Sequence, residues 1–216
     1  MTLEDIFRKH GTDKVDMHHY APHYERHLGH FQDRRLEMLE IGVGLGQSLA
    51  AWKEYFPHAL SIVGLDIDPK DLPFAVYRGH QADPVTIGMM LQFHETGFDV
   101  IIDDGSHRSE DVIPTLMMLW KYVRPNGVYV IEDIQTSYWP SFGGAAHSLT
   151  AMGFLKSLVD GLNWEERDQP HYSSTRFDRE ILGISFYHNI AFIQKGNNQE
   201  GSNLMNRNCC PWEKPV

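Results

Sequence analysis

Cysteine is nearly missing from this chain. Only Cys209 and Cys210 occur among 216 residues, side by side in a polar tail. Adjacent cysteines seldom form a structural bridge, and two are too few for a disulfide scaffold, so stability must come from a packed core. Long apolar runs are missing as well. No stretch approaches membrane-spanning length, and the opening Met1-Thr2-Leu3-Glu4-Asp5 is too polar and acidic for a secretory signal. Positive charge is in deficit, with 19 Lys and Arg against 29 Asp and Glu and a net charge of -10. Binding phosphates needs a basic field, so this balance argues against a nucleic-acid partner. No internal repeat or interior linker is visible. These absences predict a cytoplasmic protein, of a size for one domain with a full core, that engages neither membrane nor nucleic acid.

What is present alternates. The first 30 or so residues are rich in His, Tyr and charge, with short helices expected around Leu3–His10 and Pro22–Leu28. Short apolar strands are expected at Leu36–Ile41, Ser61–Ile67, Val76–Arg78, Phe98–Asp104 and Val128–Glu132. Helices are expected between them at Ser48–Tyr55, Pro84–Glu95 and near Asp111–Val123, the last stopped by a turn at Arg124-Pro125-Asn126-Gly127. A further helix should run from after Ala145 through Asp160, followed by a β-rich stretch over Ile184–Gln194. Short buried strands alternating with helices mean a parallel sheet covered on both faces. Residues 1–35 read as a helical segment covering a cofactor, 36–196 as the core, and 197–216 as a loop-rich tail over the acceptor site or a neighbouring subunit.

Two strands end in carboxylates, Phe98–Asp104 and Gly127–Asp133. If they are neighbours, Asp104, Glu132 and Asp133 converge at one mouth of the sheet, which demands a positive charge among them. Oxygen ligands without a thiolate suit a hard cation, with Mg2+ the natural guest and Ca2+ or Mn2+ also fitting. Asp103 points the other way by strand alternation and stays out of the set. His107, three residues beyond Asp104, adds a base, and a metal with a base can ionise a hydroxyl. The plainer alternatives are a turn histidine bonded to backbone, strand-end caps, and Glu132 paired with an Arg or Lys. The other histidines, among them His18, His19, His23, His27 and His30, form no closed ligand set.

Glu40-Ile41-Gly42-Val43-Gly44-Leu45-Gly46 is a strand-to-helix glycine loop, where a ligand approaches the backbone closely. The third glycine comes too early for a dinucleotide fingerprint, and Glu40 would repel a pyrophosphate but can accept bonds from an ammonium group. That favours S-adenosylmethionine. Asp66, at the end of the second strand, is placed to take both ribose hydroxyls, and Gln81 and Asp83 to bracket the adenine. Ser48 and Asp104 complete the expected cofactor contacts. Thr12, Lys14 and Tyr20 read as part of a flap over its methionine end, in a segment with little core-forming character. Tyr138 and Trp139 form either an aromatic wall for the acceptor or part of the core.

Several stretches carry a family resemblance over nearly the whole chain. They are Gly11-Thr12-Asp13-Lys14 with His19-Tyr20 and Tyr24, the loop Glu40–Gly46, and Ile102-Asp103-Asp104-Gly105-Ser106-His107. Ile131-Glu132-Asp133 with Thr136-Ser137-Tyr138-Trp139-Pro140 follows, then Met152–Ser157, Phe186–Asn189 and Lys195-Gly196. The chain resembles the metal-dependent sugar O-methyltransferases of macrolide biosynthesis, of the mycinamicin and demethylmacrocin type. The Asp-Asp-Gly-Ser-His and Glu-Asp motifs are its specific part. The resemblance implies a Rossmann-like class I methyltransferase fold, α/β, with a seven-stranded, mostly parallel sheet and helices on both faces. It implies S-adenosylmethionine and Mg2+ as cofactors, Asp104, Glu132 and Asp133 as metal ligands, and His107 as base. The expected partner is a small hydroxylated acceptor, foremost a glycosyl hydroxyl, and the expected assembly a homo-oligomer, dimer or tetramer. A catechol or phenol acceptor, or a cofactor-binding subunit without turnover, are the competing readings.

Overall fold

The structure, a computed structural model, describes residues 1–145, 149–167 and 171–202. Seven strands form one sheet: β1 Glu37–Ile41, β2 Ser61–Asp66, β3 Val76–Arg78, β4 Phe98–Asp103, β5 Val123–Ile131, β6 Ile181–Tyr187 and β7 Ile190–Lys195. Their order is β3-β2-β1-β4-β5-β7-β6. The first five are parallel, and β7 runs antiparallel to both of its neighbours. The reversal follows from the connection. Only His188 and Asn189 separate the paired Tyr187 and Ile190, and so short a link joins antiparallel strands alone. Asn189 takes the left-handed conformation that this turn needs (φ 66°). The central strand β4 is buried along its whole length, Asp99 and Asp103 included, as expected of a strand covered on both faces.

Side-chain alternation divides the core in two. Ile101, Tyr129 and Ile131 face one side, with α5 (Pro84–Leu91), α6 (Ser109–Leu119) and α7 (Ala151–Gly161). Val100, Ile102, Val128 and Val130 face the other, with α1 (Leu3–His10), α2 (Asp13–Asp16), α3 (Ala21–Leu28) and α4 (Gln47–Tyr55). The N-terminal segment is thus a structural layer, which corrects the expectation that it has little core-forming character. Leu3, Phe7, Tyr20, Tyr24 and Leu28 are fully buried. Phe7 and Tyr24 each meet the Trp52 ring edge-on at a centroid distance of 4.9 Å. The signal was present as Leu3, Ile6 and Phe7 on one face of α1, but the tyrosines, with their polar tips, disguised the rest.

Element boundaries differ modestly from expectation. α5 stops at Leu91 rather than running to Glu95. Arg124–Gly127, expected as a turn, lies within β5 beside a register irregularity against β4, where Arg124 pairs with Glu37 and Asp99. The helix expected after Ala145 begins at Ala151, and residues 146–148 lie outside the described residues. Of the tail, residues 197–202 are described. Asn198 packs there against the main chain, donating to the carbonyls of Leu162 and Asp178. Cys209 and Cys210 lie outside the described residues. Among those described, no helix is long and apolar enough to cross a membrane.

Glu40, on β1, is wholly buried against α4, accepting from Ser48 Oγ at 2.7 Å and Trp52 Nε1 at 3.4 Å. Burial pushes its carboxyl up to about 7, against the pull of Lys14. A carboxyl raised in the folded state keeps a proton that the unfolded chain gives up near pH 4.5, so stability is lost as pH rises through that interval. Glu40→Gln should therefore gain melting temperature relative to wild type between pH 4.5 and 7 and level off above; a pH-independent difference would show that Glu40 is not the group responsible. Phe7→Ala should cost about 3–5 kcal/mol in a denaturant titration, as a core aromatic does and an N-terminal flap does not.

Candidate active site

At the carboxyl ends of β1, β2 and β4 lies a cavity of about 550 Å³. Gly42, Gly44 and Gly46 all have positive φ, at 81°, 53° and 81°. Gly42 is required by close approach, since a Cβ there would lie 2.0 Å from the Asp104 carbonyl oxygen. Gly44 is different, because a Cβ there would meet nothing within 4 Å. Asp66 faces the cavity while one carboxylate oxygen accepts from Val43 N and Gly44 N at 2.8 and 3.1 Å. Thr12, Lys14, Ser48, Gln81, Asp104, His107 and Asp133 share the lining. Thr12 Oγ1 is buried without a hydrogen-bond partner, an unmet polar group in the wall of the cavity.

Several expected cofactor contacts have other work in this structure. Asp83 does not line the cavity; it caps α5, accepting from Val85 N, Thr86 N and Thr86 Oγ1. The Asp83-Pro84 pair is itself a legible helix start, a signal that its assignment to the adenine overlooks. Glu40 lies behind the wall and reaches the cavity only through Ser48. Gln81 lines the cavity, but its amide is committed: Nε2 donates to Asp103 Oδ1 at 2.9 Å, and Oε1 accepts from Ser106 N at 2.7 Å. It thereby anchors the loop that carries His107. Asp103 does face away from Asp104, into a pocket with Gln81 and Tyr129, where burial raises its carboxyl to about 7.

The acidic mouth forms as the strand parity requires. Asp104 and Glu132 continue toward the N-terminal layer and meet Lys14 there. Its Nζ lies 2.7 Å from Asp104 Oδ2 and 2.7 Å from Glu132 Oε1, and the side chain is 1% exposed. Tyr24 OH also donates to Glu132 Oε1. Lys14, expected in a flap over the cofactor, is thus the cation between the carboxylates, and Glu132 has the cationic partner that its plainer alternative required. Burial by itself would lower the Lys14 pKa, but Asp104, Glu132 and Glu40 outweigh it and hold the ammonium well above an ordinary lysine. Burial, followed by the charge of Asp104, pushes Glu132 well above the usual carboxylate range.

Asp133 has a separate set of partners. Tyr20, expected at the cofactor, instead donates its hydroxyl to Asp133 Oδ1 at 2.8 Å. His18 Nδ1 is 3.5 Å from the same oxygen, and His107 Nε2 is 3.8 Å from Oδ2. Ligand atoms of Asp104, His107 and Asp133 lie within 4.8 Å of one another, a grouping that could hold a metal ion. Glu132, expected as a ligand, is not in that group; its Oε1 is engaged by Lys14 and Tyr24. His107 and Asp133 both adopt positive φ, 56° and 53°, at a cost of roughly 1–3 kcal/mol each. The Thr136 hydroxyl sits 2.7 Å from the His107 carbonyl oxygen and 2.8 Å from that of Asp133, tying the two turns together. Tyr138 and Trp139 do not line the cavity and are 51% and 46% exposed, so core packing does not account for them.

A methyltransferase-domain family model matches residues 39–131. Mycinamicin VI 2''-O-methyltransferase of Micromonospora griseorubida is 39% identical, over 92% of this chain and 54% of that protein. Demethylmacrocin O-methyltransferase of Streptomyces fradiae is 40% identical over the same shares. The MycE methyltransferase of the mycinamycin pathway, solved with Mg, SAH and mycinamycin VI, matches with a TM-score of 0.86 at 38% identity. That match covers 93% of this chain and 55% of the solved chain. The chain thus spans about half the length of these relatives. Sequence and fold together make it a homologue of the sugar O-methyltransferases of macrolide and tetracenomycin pathways, with a class I methyltransferase fold.

Proposed function

We propose that this chain is an S-adenosylmethionine-dependent, Mg2+-assisted O-methyltransferase whose acceptor is a sugar hydroxyl on a glycosylated natural product such as a polyketide. The observation that carries this reading is the meeting of Asp104, His107 and Asp133 within 4.8 Å, at the rim of a cavity walled by a glycine loop. The cavity fits a nucleoside cofactor on its own terms: Gly44 opens toward free space, and Thr12 Oγ1 lacks a partner. The carboxylate donors fit a hard divalent ion. Support for the acceptor class comes from the relatives, which are named for methylation of glycosylated macrolides and tetracenomycins.

Asp104 and Asp133 would hold the ion, with Glu132 joining them only if Lys14 releases it, and the His107 imidazole is left for the proton. When bound, Mg2+ supplies a Lewis acid that makes a hydroxyl more acidic, and S-adenosylmethionine supplies a methyl group that is already electrophilic. His107 takes the acceptor proton at Nε2, and Asp133, 3.8 Å away, stabilises the imidazolium that results. Gln81 and Thr136 keep His107 in place by bonding to the backbone on either side of it. The glycine loop, Ser48, Asp66 and Thr12 position the cofactor, since methyl transfer depends chiefly on alignment at near-contact distance. Tyr138 and Trp139 are available on the surface as an apolar wall for the acceptor.

Calorimetric titration with S-adenosylhomocysteine and then Mg2+, repeated on Asp104→Ala, tests the two cofactor assignments. Nucleoside binding with a metal heat that disappears in the variant is expected; a protein that ignores the nucleoside overturns the reading. His107→Ala should lower kcat on a glycosylated acceptor by roughly two decades or more, with S-adenosylhomocysteine affinity unchanged. Undiminished turnover would make His107 a structural residue.

A further inference from the structure

The proposed metal ligands already have a cation among them. Lys14 Nζ sits between Asp104 Oδ2 and Glu132 Oε1 at 2.7 Å from each, sealed from solvent at 1% exposure. A buried ammonium in contact with two carboxylates is the charge complement that keeps such a cluster folded, because removing one partner of a buried pair leaves an uncompensated charge. Its complement is incomplete. Asp104, Glu132 and Asp133 carry three negative charges when ionised, and one lysine leaves a net deficit that a divalent ion would reduce further.

Lys14 is also placed to leave. It lies on α2, a helix of four residues, shortly after Gly11 in the left-handed conformation (φ 70°). Beyond its contact with the carboxylates it borders the cavity of about 550 Å³, next to the unpartnered Thr12 Oγ1. An ammonium swung away from Asp104 and Glu132 therefore enters a cavity of mixed lining that offers the polar groups of Thr12, Ser48 and Asp66. Tyr24 OH remains on Glu132 Oε1 to orient that carboxylate.

We infer that Lys14 is a tethered stand-in cation: it holds Asp104 and Glu132 together in the metal-free protein and is displaced into the adjoining cavity when a divalent ion binds. This rests on the metal reading proposed above and adds to it a competitor built into the chain. Lys14 is a positioning residue in this scheme, and Glu132 becomes a metal ligand only when the ammonium moves. The N-terminal layer is thereby coupled to metal occupancy through α2.

The test compares Mn2+ binding, followed by electron paramagnetic resonance, in wild type, Lys14→Gln and Lys14→Arg, with melting temperatures measured with and without Mn2+. Glutamine keeps a polar end but is shorter and carries no charge, so Lys14→Gln should bind Mn2+ about tenfold more tightly or better. Its metal-induced rise in melting temperature should exceed that of wild type. Lys14→Arg keeps the charge and should bind no more tightly than wild type. Equal or weaker binding by Lys14→Gln, with wild type binding normally, overturns the stand-in role and leaves the metal reading intact. Absence of binding in all three proteins overturns both. Binding by Lys14→Gln alone overturns the inference, since the wild-type ammonium is then never displaced by the ion. If Lys14→Gln folds only with Mn2+ present, the ion has replaced the ammonium as inferred; if it fails to fold even with saturating Mn2+, the inference falls.

Discussion

The packing of carboxylates at the ends of β4 and β5 is the constraint to which the rest of the site answers. Parallel pairing of these strands aligns Asp103 with Ile131, so the residues that follow, Asp104, Glu132 and Asp133, leave the sheet together. Like charges so close destabilise one another unless cations or donors intervene. The chain meets this with two separate groups of partners. Lys14 and Tyr24 serve Glu132, with Lys14 shared by Asp104, while Tyr20, His18 and His107 surround Asp133. All but His107 come from the N-terminal helical layer, which explains why that layer is bound so firmly into the core.

The two halves of the site are built differently. On the cofactor side the loop after β1 presents mainly backbone, and its conformation is held by Asp66 and by the contact of Gly42 with the backbone of Asp104. On the acidic side the chemistry is in side chains, and the backbone is strained to aim them. His107 and Asp133 take left-handed conformations that are uncommon for any residue bearing a Cβ. The strain is sustained by contacts outside the turns themselves: Gln81 bonds to Ser106, and Thr136 bridges the carbonyls of His107 and Asp133. Asp103, buried on the opposite face with Tyr129 and Gln81, extends the same polar scaffold beneath the loop.

Much of this is legible locally. The alternation of apolar strands with helices specifies a parallel sheet covered on both faces, and the parity of β4 alone separates Asp103 from Asp104. The glycine spacing and the convergence of strand-end carboxylates are equally visible, because they depend on periods of two and on turns of a few residues. Asp83 shows how one local signal can mask another: a carboxylate beyond the third strand invites a ligand contact, yet its place directly before Pro84 makes it a helix start.

The sheet, its covering helices and the placement of acids at its carboxyl edge follow from hydrophobic periodicity and backbone sterics between near neighbours, and so are written in the sequence. Which cation those acids meet depends on contacts between distant parts of the chain. Lys14 lies 90 residues from Asp104 and 118 from Glu132 in sequence, and no period or spacing links them. The burial of Tyr20 and Tyr24 was decided in the same way, by the sheet face against which the first helices fold. A charged pair buried across such separations depends on how complete layers pack, and that information exists only once the chain has folded.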